Sequence, residues 1–298
     1  MPEKIEIFFL GTTAGIPSPE RGQAAVLMRY GGDTFLFDCG ENAQVQMERC
    51  GVSPLKIKSI FISHWHADHF AGLLPLIETL HMMKRTEPLE IYGPEAERFV
   101  DALMELSYWG VGFKLTAKGC GEKEIEKIVD SSRYEIFAIK TKHNVPSCGY
   151  GLKEKDHWKI NPRLAKRHGL SNKQMGEIKK EGKIRIGNRT IKLEDVAYLR
   201  KGRKVVYSGD TLIQKSLFEF SKDADLLIHD STFAVPMEKR YHSSSAEVAK
   251  MAKKYKINKL ILTHISRRNP KDSEILKPAK KYFKNCTVAK DLMRVVLE

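Results

Sequence analysis

The chain has 298 residues, 42% of them hydrophobic, and carries 51 Lys or Arg against 37 Asp or Glu, a formal net charge of +14. That length supports one large domain or two smaller ones around a sizeable core. No run approaches 18 consecutive apolar residues, and the N-terminus lacks a basic leader with a long apolar run and a small-residue cleavage site, so neither a membrane span nor a secretion signal is expected.

The five cysteines, Cys39, Cys50, Cys120, Cys148 and Cys286, are scattered and form no C-x-x-C pair. They read as thiols of a reducing cytoplasm, not as a disulfide framework or a cysteine zinc site. The basic surplus favours polyanions such as nucleic acid or anionic lipid, although a charged surface of the kind heat-stable proteins carry would also produce it.

In chain order, short runs rich in Ile, Phe and Val predict strands at 5–11 (IEIFFLG), 33–40 (DTFLFDCG), 57–63 (IKSIFIS) and 89–93 (LEIYG). Others follow at 204–210 (KVVYSGD), 225–230 (DLLIHD) and 258–264 (NKLILTH). Helical patterns lie between several of them. FAGLLPLIETLHMMKR predicts a helix beginning near Phe70, and SSSAEVAKMAKKYK predicts one capped by Ser244 or Ser245 with Glu247 in its first turn. Strands alternating with helices imply a layered α/β architecture.

Residues 153–192 differ from their flanks. They hold 13 Lys or Arg against 4 Asp or Glu, few apolar residues, and most of the chain's net charge. Asn161 and Pro162 predict the start of a short helix ended by Gly169, and Ser171 opens a second that Gly182 closes. The pattern is that of a basic arm inserted into the remaining chain and not of core; a solvated charged insertion with no partner is the plainer alternative.

The chemistry concentrates in SHWHADH, residues 63–69. His64 and His66 stand two apart at the end of a predicted strand, where an extended backbone sends both side chains the same way. Asp68 and His69 follow after the chain turns. Imidazole and carboxylate suit zinc and its neighbours, and two metals about 3.5–4 Å apart need roughly this density of donors with a bridging carboxylate.

The H-x-H-x-D-H order resembles the loop of the metallo-β-lactamase superfamily. His143, Asp210 and His264 follow later β-like runs, as that family's other ligands do. The resemblance implies a four-layer αββα sandwich spanning 1–298, with 153–192 inserted as the arm. It also implies two zinc ions: one held by His64, His66 and His143, the other by Asp68, His69 and His264, with Asp210 bridging.

Within that superfamily the chain resembles the tRNase Z family from end to end. FFLGTTAGIPSPERG matches its glycine-threonine strand end and P-[ST]-x-x-R loop (Pro17, Ser18, Arg21), and LFDCGENAQVQ its D-x-G-E-G-T-Q-x-Q segment (Asp38, Gly40, Glu41, Gln44, Gln46). HDSTF, YHSSSAEVA and HISRRN are similar to its H-E-A-T-F, H-S-T and H-x-S-x-R-Y segments. Asn42 and Ala43 replace Gly-Thr, Asp230 replaces Glu, Ser244 replaces Thr and Asn269 replaces Tyr; no role is carried over to Asp230.

The resemblance implies an endoribonuclease that removes the 3′ trailer from precursor tRNA as a homodimer; the cysteines and the short apolar runs add the expectation of a cytoplasmic protein without membrane contact. Asp68 would orient or deprotonate the attacking water, and His242 would protonate or stabilise the departing 3′ oxygen. The arm takes the place of the family's tRNA-gripping exosite, with Lys166, Arg167, Lys173, Lys179 and Lys180 as candidate substrate contacts. Two alternatives stand: a small-molecule phosphodiesterase or thioesterase of the same fold, against which the arm's charge speaks, and a non-catalytic RNA-binding module, against which the full donor set speaks.

Overall fold

Period-two alternation builds the larger part of the molecule. In the strand Asp33–Phe37 and the strand Ile57–Phe61 with its extension to Ile62, Phe35, Phe37 and Phe61 face one way while Leu36, Ile60 and Ile62 face the other. In the computed structural model, which describes residues 3–108, 110–237, 241–269 and 271–298, these strands belong to the first of two seven-stranded sheets.

The chain divides into two units, one of Met1–Asp130, Ile136–Leu152 and Lys204–Glu298, the other of Ser131–Glu135 and Lys153–Arg203. The first sheet runs, edge to edge, Arg294–Leu297, Ile5–Gly11, Ala25–Tyr30, Asp33–Phe37, Ile57–Phe61, Leu89–Gly93 and Leu115–Gly119. Its first four strands pair antiparallel and the rest parallel. The second runs Cys286–Val288, Lys259–Thr263, Leu226–Asp230, Lys204–Tyr207, Cys148–Glu154, Tyr134–Lys140 and Ile125–Asp130, its first four strands parallel.

Aromatic rings fill the space between the sheets. Phe61 lies 5.2 Å and Phe37 6.0 Å from Tyr150, and Phe37 lies 6.1 Å from Tyr207. On the outer face of the first sheet, Leu73, Leu76, Ile77 and Leu80 of the helix Leu73–Met82 pack on Leu36, Ile60 and Ile91. On the outer face of the second, Val248, Ala249 and Ala252 of the helix Ser245–Lys254 pack on Leu227, Leu260 and Leu262. Helix, sheet, sheet and helix form the four layers expected.

One predicted helix is broken. The segment after His66 forms a four-residue helix, Ala67–Phe70, and restarts as Leu73–Met82. The turn at Cys39–Gly40 presses on the junction: Gly72 N donates to Cys39 O, and a Cβ on Gly72 would sit 2.3 Å from Gly40 O. Asn42 precedes the helix Ala43–Arg49 at φ 69°, a left-handed conformation that asparagine tolerates in place of the family's glycine. The helix Ser245–Lys254 is capped by Ser244, whose side chain and that of Glu247 bond reciprocally across the first turn.

The basic segment is not bare arm. Its unit continues to Arg203 and has a small core of Ala165, Leu170, Ile178, Ile184, Ile191, Leu193, Val196 and Ala197. The helix Pro162–Arg167 is capped by Asn161, and Asn172–Glu181 by Ser171 and Gly182, the latter at φ 74°. Two antiparallel pairs, His157–Ile160 with Ala197–Arg200 and Lys183–Ile186 with Arg189–Lys192, and the short helix Leu193–Val196 complete it. Glu154 and Arg203, both buried, form a bidentate pair at 2.7 and 3.0 Å. Among the described residues no helix is long and apolar enough to cross a membrane.

Candidate metal centre

Every predicted ligand lies in the larger unit, beyond the C-terminal end of a strand. His64 follows Ile57–Phe61, His143 follows Tyr134–Lys140, Asp210 follows Lys204–Tyr207 and His264 follows Lys259–Thr263. Strand ends of an open α/β sheet are where side chains from several elements converge. Two positions demand unusual backbone: His264 itself has φ 58°, and Gly209, at φ 57°, would drive a Cβ to 2.5 Å from that of Ser63. Strain of this kind is tolerated where function requires the geometry.

The donors form two interlocking groups. His64, His66 and His143 offer one ligand atom each, as do Asp68, His69 and His264, and within each group these atoms lie within 4.8 Å of one another. Asp210 stands between the groups, with Oδ2 at 3.8 Å from His64 Nε2, 3.4 Å from His69 Nε2 and 3.3 Å from His264 Nε2. His64, His69, Asp210 and His264 are buried. So many imidazole nitrogens and carboxylate oxygens, turned toward one small buried volume, fit a pair of divalent metal ions with nitrogen and oxygen preference.

Each imidazole but one is held by its outer nitrogen, which leaves the inward one free as a ligand. His69 Nδ1 donates to Asp38 Oδ2 at 2.7 Å. His64 Nδ1 lies 3.0 Å from Ser63 Oγ, whose hydroxyl donates to the same carboxylate. His143 Nδ1 donates to Tyr241 O at 3.0 Å, and His264 Nδ1 lies 2.9 Å from Thr232 Oγ1, which donates to Asp230 Oδ1. His66 is the exception and presents Nδ1 itself, 2.9 Å from His64 Nε2 and 3.3 Å from His143 Nε2.

At three of the imidazoles the electrostatics agree with ligation. Burial, reinforced by neighbouring imidazoles, lowers the pKa of His64, His66 and His143, favouring the neutral form that binds metal. Burial opposes charge on His69 as well, but Asp210 and Asp38 overcome it and draw positive charge to that ring. Burial likewise opposes ionisation of Asp68 and Asp210, and the histidines around them outweigh it, keeping both carboxyls well below the ordinary range. Asp68 Oδ2 also accepts from Gly15 N at 3.0 Å.

His242 stands beside this cluster, its Nδ1 3.0 Å from Asp230 Oδ2 and 3.7 Å from Asp210 Oδ2. Burial works against its charge, but the hydrogen bond and field of Asp230 raise its pKa to about 9. Asp230, fully buried, thus orients two rings at once: His242 directly and His264 through Thr232. Asp38 and Asp230 are the buried carboxylates of the site to which sequence reasoning gave no role. Their only signal was position within family segments, since each sits in a segment remote in sequence from the histidine it holds.

The five candidate RNA contacts lie apart from this cluster in the sequence, all in the basic unit. Lys166 and Arg167 end its first helix; Lys173 lies in the first turn of the second, and Lys179 and Lys180 in its last turn. All five are exposed.

Residues 5–117 match the family model described as anti-Pycsar protein Apyc1, and residues 193–265 match the beta-lactamase superfamily domain. The ribonuclease Z of Methanosarcina acetivorans is 39% identical over 306 residues, covering 98% of this chain and 97% of that protein. The chain belongs to the ribonuclease Z family. The ribonuclease Z of Pyrococcus horikoshii is 36% identical over 302 residues, with 99% and 96% covered. The crystal structure of the short form of human tRNase Z superposes with a TM-score of 0.70 at 27% identity, covering 97% of this chain and 98% of that one. As a member of the ribonuclease Z family with the metallo-β-lactamase fold, the protein is a hydrolase and an endoribonuclease.

Proposed function

We propose that the protein removes the 3′ trailer from precursor tRNA by hydrolysing one phosphodiester and leaving a 3′-hydroxyl on the tRNA. The observation that carries this is the bridging position of Asp210 between two three-residue donor groups, in a chain similar along its whole length to ribonuclease Z proteins. His64, His66 and His143 would hold one zinc ion and Asp68, His69 and His264 a second. Two such ions supply Lewis acidity toward water and toward the phosphoryl oxygens.

The chain's own groups account for the remaining steps. Asp68, ionised and anchored by Gly15 N, accepts a hydrogen bond from the attacking water and aims it at phosphorus. Lowered below the usual carboxylate range by the histidines beside it, Asp68 is present as the carboxylate, the form that accepts a hydrogen bond from water. His242, protonated at neutral pH with Nδ1 fixed by Asp230, delivers a proton from Nε2 to the departing 3′ oxygen.

The basic unit supplies what a small cleft cannot, an interaction with the folded shape and backbone of the RNA. Lys166, Arg167, Lys173, Lys179 and Lys180 are its phosphate contacts in this reading. A homodimer in the cytoplasm completes the proposal, the five free cysteines being in keeping with a reducing compartment.

The test is incubation with a 3′-extended tRNA, with and without a chelator, followed by mapping of the new end. One cut at the trailer junction, ending in a 3′-hydroxyl and abolished by the chelator, is expected. Turnover of bis(p-nitrophenyl) phosphate with no cut in the tRNA would favour a small-phosphodiester hydrolase instead.

A further inference from the structure

Among the described residues, one exposed aromatic side chain stands at the ligand cluster without a task. Tyr241 is 48% exposed, and its backbone is anchored at the cluster: its carbonyl accepts the hydrogen bond of His143 Nδ1, and its ring centroid lies 6.3 Å from the His143 ring at 80°. The His242 ring lies 5.1 Å from that same imidazole. Tyr241 and the proton donor of the proposed reaction therefore share His143 as a neighbour.

We propose that Tyr241 is the stacking platform for the nucleobase of the nucleotide whose 3′ oxygen departs. The inference rests on the phosphodiesterase reading and on the role of His242 within it. The departing oxygen belongs to the ribose of the nucleotide retained by the tRNA, and the base of that nucleotide is one sugar away. A side chain next to His242 in sequence, presenting an exposed ring beside the same ligand, is placed to meet that base. Every nucleobase has a π-face, so the contact tolerates any sequence while favouring purines, whose larger rings stack more strongly. It requires the ring and not the hydroxyl.

The experiment uses the metal-loaded enzyme and its product, a tRNA ending at the mapped 3′ nucleotide with 2-aminopurine in that position. Binding to the wild type and to Tyr241→Phe should quench the fluorescence; Tyr241→Ala should bind without the quench. In cleavage, Tyr241→Ala should raise KM by about tenfold for precursors with a purine there and by less for a pyrimidine, with Tyr241→Phe close to wild type. Equal quenching in Tyr241→Ala, or an equal KM change for both base types, would overturn the stacking contact. A wild type that cuts the precursor without quenching the product does the same while leaving the phosphodiesterase reading intact; a wild type that cuts no precursor overturns both.

Discussion

The two units put polar side chains to opposite uses. In the larger one, carboxylates and imidazoles are buried against one another, and each depends on a named partner: His69 on Asp38, His264 on Thr232 and Asp230, His143 on the Tyr241 carbonyl. In the smaller one, lysines and arginines stand in water on two short helices over a core of eight buried residues. Buried donors bind and react through fixed geometry, so one wrong atom is costly. Exposed cations act through summed charge, and each is worth little alone.

That contrast can be broken first at Asp68. Asp68→Ala should reduce cleavage of precursor tRNA by about 10³-fold or more in single-turnover assays while leaving tRNA binding largely intact; abolished binding with retained turnover would remove Asp68 from the site. Next in size, His242→Ala should lower kcat by about 10²-fold or more. The sign of its pH dependence follows from a raised pKa. The protonated donor is present below about pH 9 and disappears above it, so wild-type kcat should fall as pH rises through about 9, and the variant should lack that limb.

Asp38→Asn sharpens the comparison from behind the ligands. It keeps the shape but weakens the acceptor that fixes His69, and a loss of about 10–100-fold in zinc affinity is expected by competition with a chromophoric chelator. An unchanged affinity would make Asp38 a packing residue.

Much of this division was legible in the sequence, for different reasons in each region. The strands 5–11, 57–63 and 89–93 were marked by runs of apolar residues, and the helices Pro162–Arg167 and Asn172–Glu181 of the basic unit by their caps, Asn161, Ser171, Gly169 and Gly182. The strand Cys148–Glu154 carried no such mark because packing imposes glycine on it: a Cβ on Gly149 would lie 2.8 Å from Tyr207 O, and one on Gly151 2.2 Å from the Phe220 ring. Of the seven candidate ligands, His64, His66, Asp68 and His69 were legible through residue type and spacing, and His143, Asp210 and His264 through the family resemblance. The groups that orient them were not, since a buried aspartate bonded to a distant histidine leaves no periodic trace. The small core of the basic unit was hidden by its composition, in which scattered Ile, Leu and Ala are outnumbered by charge.

The smallest expected effect addresses the division itself. With Lys166, Arg167, Lys173, Lys179 and Lys180 all replaced by Ala, kcat and KM are compared for precursor tRNA and bis(p-nitrophenyl) phosphate across 50 to 200 mM salt. The account predicts a KM for tRNA raised about tenfold at fixed kcat, a salt slope shallower by about one for each phosphate that is no longer neutralised, and unaltered hydrolysis of the small diester. Equal impairment on both substrates, or a tRNA KM and salt slope that do not move, would contradict it.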